Sequence, residues 1–266
     1  MRRAAASLAV VVTAVALGAC PPAPDGNEGE GEGEAGEGEG EPGEGEGEGE
    51  GEGEGEGEGE AFPLDGFGVI SGPCGQLDDE LTSATPSFIE GVAIDFGTDP
   101  YDDPADRDQL TAGAQQVIVD GNAGGSSIVS EAITFDLLAR CEGATLIETE
   151  TNIEYTVSPT KITDFIVEID GVKVGVNPVR TFVFGGGALT ADEARRRLEG
   201  KLDDALVSSA NVAPAFAWEK QIIVVVAPEA AHVPVVKGVW EGLDAATRAD
   251  TIVYVYVTDG ADDPLY

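Results

Sequence analysis

The sequence predicts an α/β fold in which a mixed central sheet is flanked by helices. The pattern from residue 127 onward indicates the order helix, three strands, helix, strand, helix, strand. Residues 163–180 have the alternation and the central turn of a β-hairpin. The run Gln221–Ala227 is apolar on both faces, as expected of a central strand that helices cover on both sides.

Residues 1–19 have the pattern of a lipoprotein signal peptide, with a basic start, an apolar run and small residues before Cys20. The sequence Leu17–Cys20 (LGAC) resembles the bacterial lipobox, which implies that Cys20 carries the lipid and anchors the chain to a membrane. Because Pro21 rather than Asp follows the cysteine, the resemblance implies an outer-membrane lipoprotein of the cell envelope. An uncleaved anchor or an ordinary secretory signal is the alternative.

Residues 20–60 comprise the lipidated Cys20 and an almost pure Gly-Glu repeat that begins at Gly26. Its charges repel and it has almost nothing apolar to bury, so we expect an extended, solvated tether rather than a calcium-binding run. Of the formal charge of −37, the part of the chain after residue 60 carries −22. Such an acidic domain is not expected to bind nucleic acid or anionic lipid.

Residues 61–126 are predicted to be an amino-terminal β elaboration of the globular domain. Ser87–Phe96 and Gln116–Asp120 have strand-like apolar runs with an acidic loop between them. Aspartates could supply the hard oxygen ligands of a calcium site in this loop, although their spacing does not fit an EF-hand and a solvated turn is the favoured interpretation. They are Asp95, Asp99, Asp102, Asp103, Asp106 and Asp108.

Two cysteines remain after Cys20, namely Cys74 and Cys141. An exported protein folds in an oxidising compartment, where two such thiols are expected to pair. The predicted disulfide would join the amino-terminal elaboration to the helix that ends near Cys141. Two separate thiols are the alternative.

Residues 127–266 are predicted to form the α/β core. Its first helix is capped by Ser126 or Ser127 and stops at Gly143, and the alternating segment Ala144–Val157 follows as a strand. In the hairpin, an Asp170-Gly171 type I′ turn sets the register. Counting outward from this turn pairs Ile169 with Val172, Phe165 with Val176, and Asp164 with Asn177.

The rest of the core follows from helix caps and apolar runs. Thr190–Glu193 is a capping box that opens a helix through about Leu206. Arg195, Arg196, Arg197 and Lys201 on this helix are expected to be its solvated side rather than a phosphate-binding patch. Another helix is predicted within His232–Ala249, and the last strand is Thr251–Val257.

This order of elements, with Asp164 opening the second strand, resembles the core of the PD-(D/E)xK, or restriction-endonuclease-like, superfamily. The resemblance implies that Asp164 is the first Mg²⁺-binding acid and that Glu131 is the assisting acid of the preceding helix. It places Asn177 at the position of the third-strand acid and Val179 at the position of the lysine, with Arg180 next to it.

Asn177 carries no charge to offset Mg²⁺, Val179 cannot donate a proton, and Arg180 stays protonated and cannot act as a base. We therefore expect a nuclease-like domain that has lost catalysis and serves as an envelope-displayed binding or structural module without a cofactor, its ligand unknown. One alternative is a Mg²⁺-dependent surface nuclease or other phosphodiesterase in which Lys161 or Lys173 replaces the lysine. Another is a calcium-stabilised adhesion domain that uses the acidic loop.

Overall fold

The computed structural model describes residues 62–63, 68–97, 100–185 and 187–266. The predicted signal peptide, Cys20 and the Gly-Glu tether lie outside this part of the chain. The strands are β1 (Phe62–Pro63), β2 (Val69–Ser71), β3 (Ser87–Asp95), β4 (Thr145–Thr149), β5 (Phe165–Ile169), β6 (Val172–Arg180), β7 (Lys220–Ala227) and β8 (Ile252–Asp259). The helices are α1 (Asp106–Gln109), α2 (Ala112–Asp120), α3 (Ile128–Glu142), α4 (Ala191–Asn211), α5 (His232–Glu241) and α6 (Ala245–Arg248).

The strands form one mixed sheet in the order β1-β2-β3-β8-β7-β6-β5-β4. The four central strands β3, β8, β7 and β6 run parallel to one another. At the edges, β5 and β4 continue antiparallel from β6, and β2 and β1 continue antiparallel from β3. The predicted α/β class with a mixed sheet flanked by helices is therefore confirmed.

Two apolar cores lie on opposite faces of this sheet. On one face α2 and α3 pack on alternate residues of the central strands, such as Ile222 and Val224 of β7. On the other face α4 and α5 cover the intervening residues, such as Ile223 and Val225. Every residue of β7 is buried, as the unbroken apolar run of this strand predicts.

The β5–β6 hairpin has the predicted register. Ile169 pairs with Val172 and Phe165 pairs with Val176, and the strands run antiparallel. Asp170 and Gly171 both have positive φ, at 49° and 78°, as a type I′ turn requires. The turn therefore fixes the position of Asp164, which directly precedes β5.

The predicted strand over Ala144–Val157 is longer than the observed one. Strand β4 ends at Thr149, and a 3₁₀ turn follows over Glu150–Asn152. The Thr149 hydroxyl donates a hydrogen bond of 2.7 Å to Asp120 Oδ2, and Asn152 Nδ2 donates to the Thr149 hydroxyl over 3.1 Å. These side-chain contacts bend the chain away from the sheet where alternation alone indicates a continuing strand.

The prediction of a strand over Gln116–Asp120 is wrong, since these residues form the second half of helix α2. Ala114 and Val117 are buried at the i, i+3 spacing of one helix face. The amino-terminal elaboration thus contributes helices as well as strands. Ser87–Phe96 is a strand, as predicted, and β3 lies parallel to β8.

Helix α4 begins with the predicted capping box, in which the Thr190 hydroxyl accepts from the Glu193 N–H and Glu193 accepts from the Thr190 N–H. It continues to Asn211, five residues beyond the predicted end. The single helix predicted within His232–Ala249 is two helices, because Asp244 caps a new start by accepting hydrogen bonds from the N–H groups of Ala246 and Thr247.

Cys74 and Cys141 form a disulfide, with their Cα atoms 4.6 Å apart. The bridge ties the segment before β3 to the last turn of α3. The same junction is held by hydrogen bonds from Gly75 N–H to Cys141 C=O, at 2.9 Å, and from Leu77 N–H to Glu142 Oε2, at 3.0 Å. In the part of the chain that the structure describes, no helix has the length and apolar character needed to cross a membrane.

Candidate functional site

A cleft of about 390 Å³ opens where α3 begins, β6 ends and the first half of α4 passes. Acidic and basic side chains face it together, with a short apolar floor at the end of β6. Its lining residues are Ser127, Ser130, Glu131, Asp164, Pro178, Val179, Arg180, Arg197 and Lys201.

Two carboxylates reach this cleft from different elements. Glu131 lies in the first turn of α3, is only 4% exposed, and accepts a hydrogen bond of 3.4 Å from Asn122 Nδ2. Asp164 precedes Phe165, whose ring packs in the core on the α3 face of the sheet. Because successive side chains of an extended chain point to opposite faces, Asp164 points toward α4.

Lys201 of α4 meets Asp164 there. Its Nζ lies 3.1 Å from Asp164 Oδ2 in a salt bridge whose side chains are 32% and 12% exposed. The pair is therefore sheltered on the carboxylate side and open to the cleft on the ammonium side. An ammonium held at this distance is both a hydrogen-bond donor and a charge fixed beside the acid.

The environment of Asp164 favours the protonated acid. Burial raises the pKa of Asp164 to about 7, the Lys201 ammonium opposes this rise, and the negative charges of Glu131 and Glu150 add to it. The pKa of Glu150 is itself raised by burial, which the hydrogen bond from the Ala123 N–H opposes. Burial is thus the main reason that the pKa of Asp164 is raised, and the neighbouring carboxylates add to it.

Two arginines also line the cleft, Arg180 at the end of β6 and Arg197 one turn before Lys201 on α4. An Arg180 Nη1 N–H donates to the main-chain oxygens of Leu265, at 3.1 Å, and Tyr266, at 3.4 Å. Arg197 Nη1 donates to the main-chain oxygen of Arg180 over 3.1 Å. A guanidinium carries five N–H donors, which is more than these bonds use, so both groups can also bind an anion in the cleft.

Glu131, Asp164, Val179 and Arg180, four of the predicted site residues, line the cleft together, whereas Asn177 does not. Asn177 is 2% exposed, and its Nδ2 donates to Gln221 Oε1 at 3.0 Å beneath α4. Its side chain is therefore part of a polar contact between β6 and β7 and is not among the residues that line the cleft.

The lysine of the cleft is not one of the two that the sequence suggested. Lys161 pairs with Asp204 at 2.9 Å on the surface, and Lys173 lies opposite Glu168 near the hairpin turn. The sequence predicts Lys201 on the solvated side of α4, whereas its ammonium contacts Asp164. Lys201 is four residues from Arg197 on α4, so the sequence could have shown that both lie beside the buried residues Leu198 and Leu202. It could not have shown which residues of other elements the two side chains contact.

The carboxylates suit Mg²⁺ in number. Among the residues described, no group of three or more His, Cys, Asp or Glu side chains is placed to hold a metal ion. Mg²⁺ is commonly held by one or two protein carboxylates, with water and substrate phosphate as the other ligands. Glu131 and Asp164 meet that requirement, and the repulsion between them is relieved by a cation.

Carboxylates of the acidic loop accept hydrogen bonds from main-chain N–H groups of the same loop. Asp106 Oδ2 accepts hydrogen bonds from the N–H groups of Asp102, at 3.0 Å, and Asp103, at 2.9 Å. Asp95 Oδ1 accepts from the Gly97 N–H at 2.7 Å. Asp99 lies outside the described residues. A calcium site in this loop stays a prediction.

Comparisons with known proteins give no family for this chain. No family model matches it, and no solved structure matches it. The AAC-rich mRNA clone AAC4 protein of Dictyostelium discoideum is 35% identical over 153 residues, which are 55% of this chain and 22% of that protein. The chain thus spans less than a quarter of the length of that relative, whose name states no activity.

Proposed function

We propose that residues 127–266 form a metal-dependent phosphodiesterase of the restriction-endonuclease-like fold, carried at the cell envelope by a lipid on Cys20. One observation carries the activity. Lys201 Nζ lies 3.1 Å from Asp164 Oδ2 in an open cleft that Glu131 also lines. Two acids and an amine are the chemical groups that this superfamily uses, and here the amine comes from a helix instead of from the third strand.

The strand order supports the kinship. After α3, strands β4, β5 and β6 pair in chain order as an antiparallel meander, and β7 and β8 then continue parallel to β6. Helix α4 connects β6 to β7, and α5 with α6 connects β7 to β8. This is the succession on which the resemblance was based, with Asp164 at the opening of its second strand.

Each charged residue of the cleft has a role that follows from its chemistry. Glu131 and Asp164 would hold Mg²⁺, which supplies charge neutralisation and polarisation of a phosphoryl group when it is bound. Lys201 orients Asp164 and presents an ammonium that stabilises negative charge developing at the phosphate. Arg180 and Arg197, which line the same cleft, bind phosphate oxygens.

Local charge makes an anionic substrate compatible with an acidic protein. The cleft is lined by three basic and two acidic side chains, whereas the chain beyond residue 60 has 34 acidic and 12 basic residues. A bound Mg²⁺ adds two further positive charges at the carboxylates. The phosphate would therefore bind at a positive site within a negative surface. Such a charge distribution favours contact with a short stretch of an anionic substrate over contact with a long one.

The second candidate is a binding module without catalysis. Asn177 favours it, because this residue stands where the superfamily has its third-strand acid. Its side chain instead donates a hydrogen bond to Gln221. Such a module would bind an anionic ligand in the same cleft through Arg180, Arg197 and Lys201. It would not turn the ligand over.

The deciding experiment measures cleavage by the full chain in detergent solution. The substrates are single-stranded and duplex DNA and the chromogenic diester bis(p-nitrophenyl) phosphate, each with Mg²⁺, with Mn²⁺ and with EDTA. We expect cleavage that requires the metal and disappears in Asp164→Ala. The matched control is Asp204→Ala, which removes an acid that pairs with Lys161 on the surface of α4. No cleavage by the unaltered chain with any divalent metal would leave the binding module as the function.

A further inference from the structure

Three aromatic rings form a cluster next to the cleft. Phe182 stacks on Tyr266 with ring centroids 5.3 Å apart and planes inclined by 22°. Phe184 packs edge-on against Phe182, with centroids 5.5 Å apart and an angle of 77°. We call Phe182, Phe184 and Tyr266 the aromatic shelf.

The outer ring of the shelf is almost fully exposed to solvent. Phe184 is 91% exposed, which is more than any other large hydrophobic residue of the described chain. The next is Val119, at 62%, on the far helix α2. An exposed aromatic ring in contact with a second ring offers a π face to a planar ligand.

The aromatic shelf is continuous with the cleft. A hollow of about 310 Å³ is lined by the three rings together with Ser126, Arg180 and Arg197. The two arginines also line the cleft that holds Asp164 and Lys201. A ligand that places an anion between the arginines therefore has a planar aromatic surface immediately beside that anion.

We propose that the aromatic shelf binds an unpaired base of a single-stranded nucleic acid whose adjoining phosphodiester lies in the cleft. This assignment rests on the proposed function and names its substrate class. Proteins that bind single strands combine basic grooves with aromatic side chains on which bases stack. Bases of a duplex are already stacked on their neighbours, so they cannot offer a face to Phe184.

A lipid bilayer is the other surface that could receive an exposed phenylalanine. The charge of −22 beyond residue 60 opposes anionic lipid headgroups and nucleic acid alike, so the contacts of the rings decide between these ligands. The pairing of the rings with Arg180 and Arg197 in one hollow fits a base and its phosphate. Binding to vesicles is accordingly an outcome that the experiment must include.

Binding is measured on the full chain by fluorescence anisotropy at low salt with EDTA, which prevents turnover. One labelled ligand is a 12-nucleotide oligothymidine and the other is an abasic deoxyribose-phosphate oligomer of the same length and charge. We expect oligothymidine to bind about tenfold more tightly, since stacking on an aromatic residue contributes that much per base. Phe184→Ala should reduce the preference to less than about threefold, whereas Phe184→Trp should retain it. The matched control, Val119→Ala, removes an exposed apolar side chain elsewhere and should retain it too.

Equal affinity for the two oligomers, or no binding of either, overturns the assignment. So does Phe184-dependent binding to phosphatidylglycerol vesicles without a preference for the oligomer that carries bases. The outcome is separable from that of the proposed function. A base preference without any metal-dependent cleavage keeps the aromatic shelf and rejects the phosphodiesterase, whereas cleavage without a base preference does the reverse.

Discussion

Lys201 Nζ and Asp164 Oδ2 are 3.1 Å apart although the two residues are separated by 37 positions in the chain. The contact joins helix α4 to the mouth of the β5–β6 hairpin, and it brings the amine to the end of β6 where Val179 lies. In the proposed phosphodiesterase, this lysine of a neighbouring helix takes the place of the third-strand lysine.

Replacing Lys201 should separate its chemical role from its structural one. Lys201→Met should lower kcat for metal-dependent cleavage by about 10²- to 10³-fold, because a preorganised donor at the phosphate is lost. Lys201→Arg retains the charge beside Asp164 and should recover part of the rate. The surface variant Lys161→Met should remain within about twofold of the unaltered chain, since rim charges affect rates weakly. Circular dichroism at pH 6 checks that each variant is folded. Equal rates for Lys201→Met and Lys161→Met would remove Lys201 from the mechanism.

Stability in the absence of metal should fall as the pH rises, through the ionisation of Asp164. The pKa of Asp164 is about 7 in the folded chain against an ordinary value of 3.8, so the folded state binds more protons than the unfolded state between these values. The free energy of unfolding then decreases with pH across this window, and the stability that protonated Asp164 contributes is lost above about pH 7.

Asp164→Asn removes this ionisation. Urea unfolding in EDTA should be measured at pH 5, 6, 7 and 8. As the pH rises, the free energy of unfolding of the variant should increase relative to that of the unaltered chain, by up to a few kcal/mol. Adding Mg²⁺ at pH 8 should raise the melting temperature of the unaltered chain and leave that of Asp164→Asn nearly unchanged. A difference between the two proteins that is constant with pH would contradict the burial of this carboxyl.

Restoring an acid to the third strand should not increase activity. Asn177→Asp places a carboxylate at a position that is 2% exposed, hydrogen-bonded to Gln221 and not part of the cleft lining. We expect a loss of about 1–3 kcal/mol in the free energy of unfolding at pH 8, because a buried charge replaces a satisfied amide. The rate of cleavage should not rise. A gain in metal-dependent rate would show that Asn177 belongs to the site after all.

Gly91 should be far less tolerant of a methyl group than Gly200. A Cβ at Gly91 would lie near the ring of Tyr254, whose hydroxyl donates to Glu142 Oε1 at 3.2 Å. Gly91→Ala should therefore cost about 1–3 kcal/mol through overpacking. Gly200 lies within α4 with no heavy atom within 4 Å of the added Cβ, so Gly200→Ala should stabilise the chain by about 0.5–1 kcal/mol. Thermal unfolding measures the change in stability of both variants. Equal changes would show that the Tyr254 ring moves aside at little cost.

Local sequence signals determined much of the core. The Asp170-Gly171 turn sets a register in which every following pair can be counted, and the Thr190–Glu193 capping box marks where α4 begins. The strand boundary after Thr149 and the helix at Gln116–Asp120 could not be predicted in this way. The first depends on the carboxylate of Asp120, 29 positions away, and the second on which residues α2 buries against α3.

By itself, the sequence determined that an acid stands at the opening of a hairpin strand, since turn chemistry and alternation act over a few residues. Only the tertiary structure decided which cation meets it. Helix α4 carries four basic residues, and its packing across the sheet selects Lys201 for Asp164 and turns Arg197 toward the cleft. That choice depends on how a helix packs on a sheet, a relation between distant segments that no local pattern records.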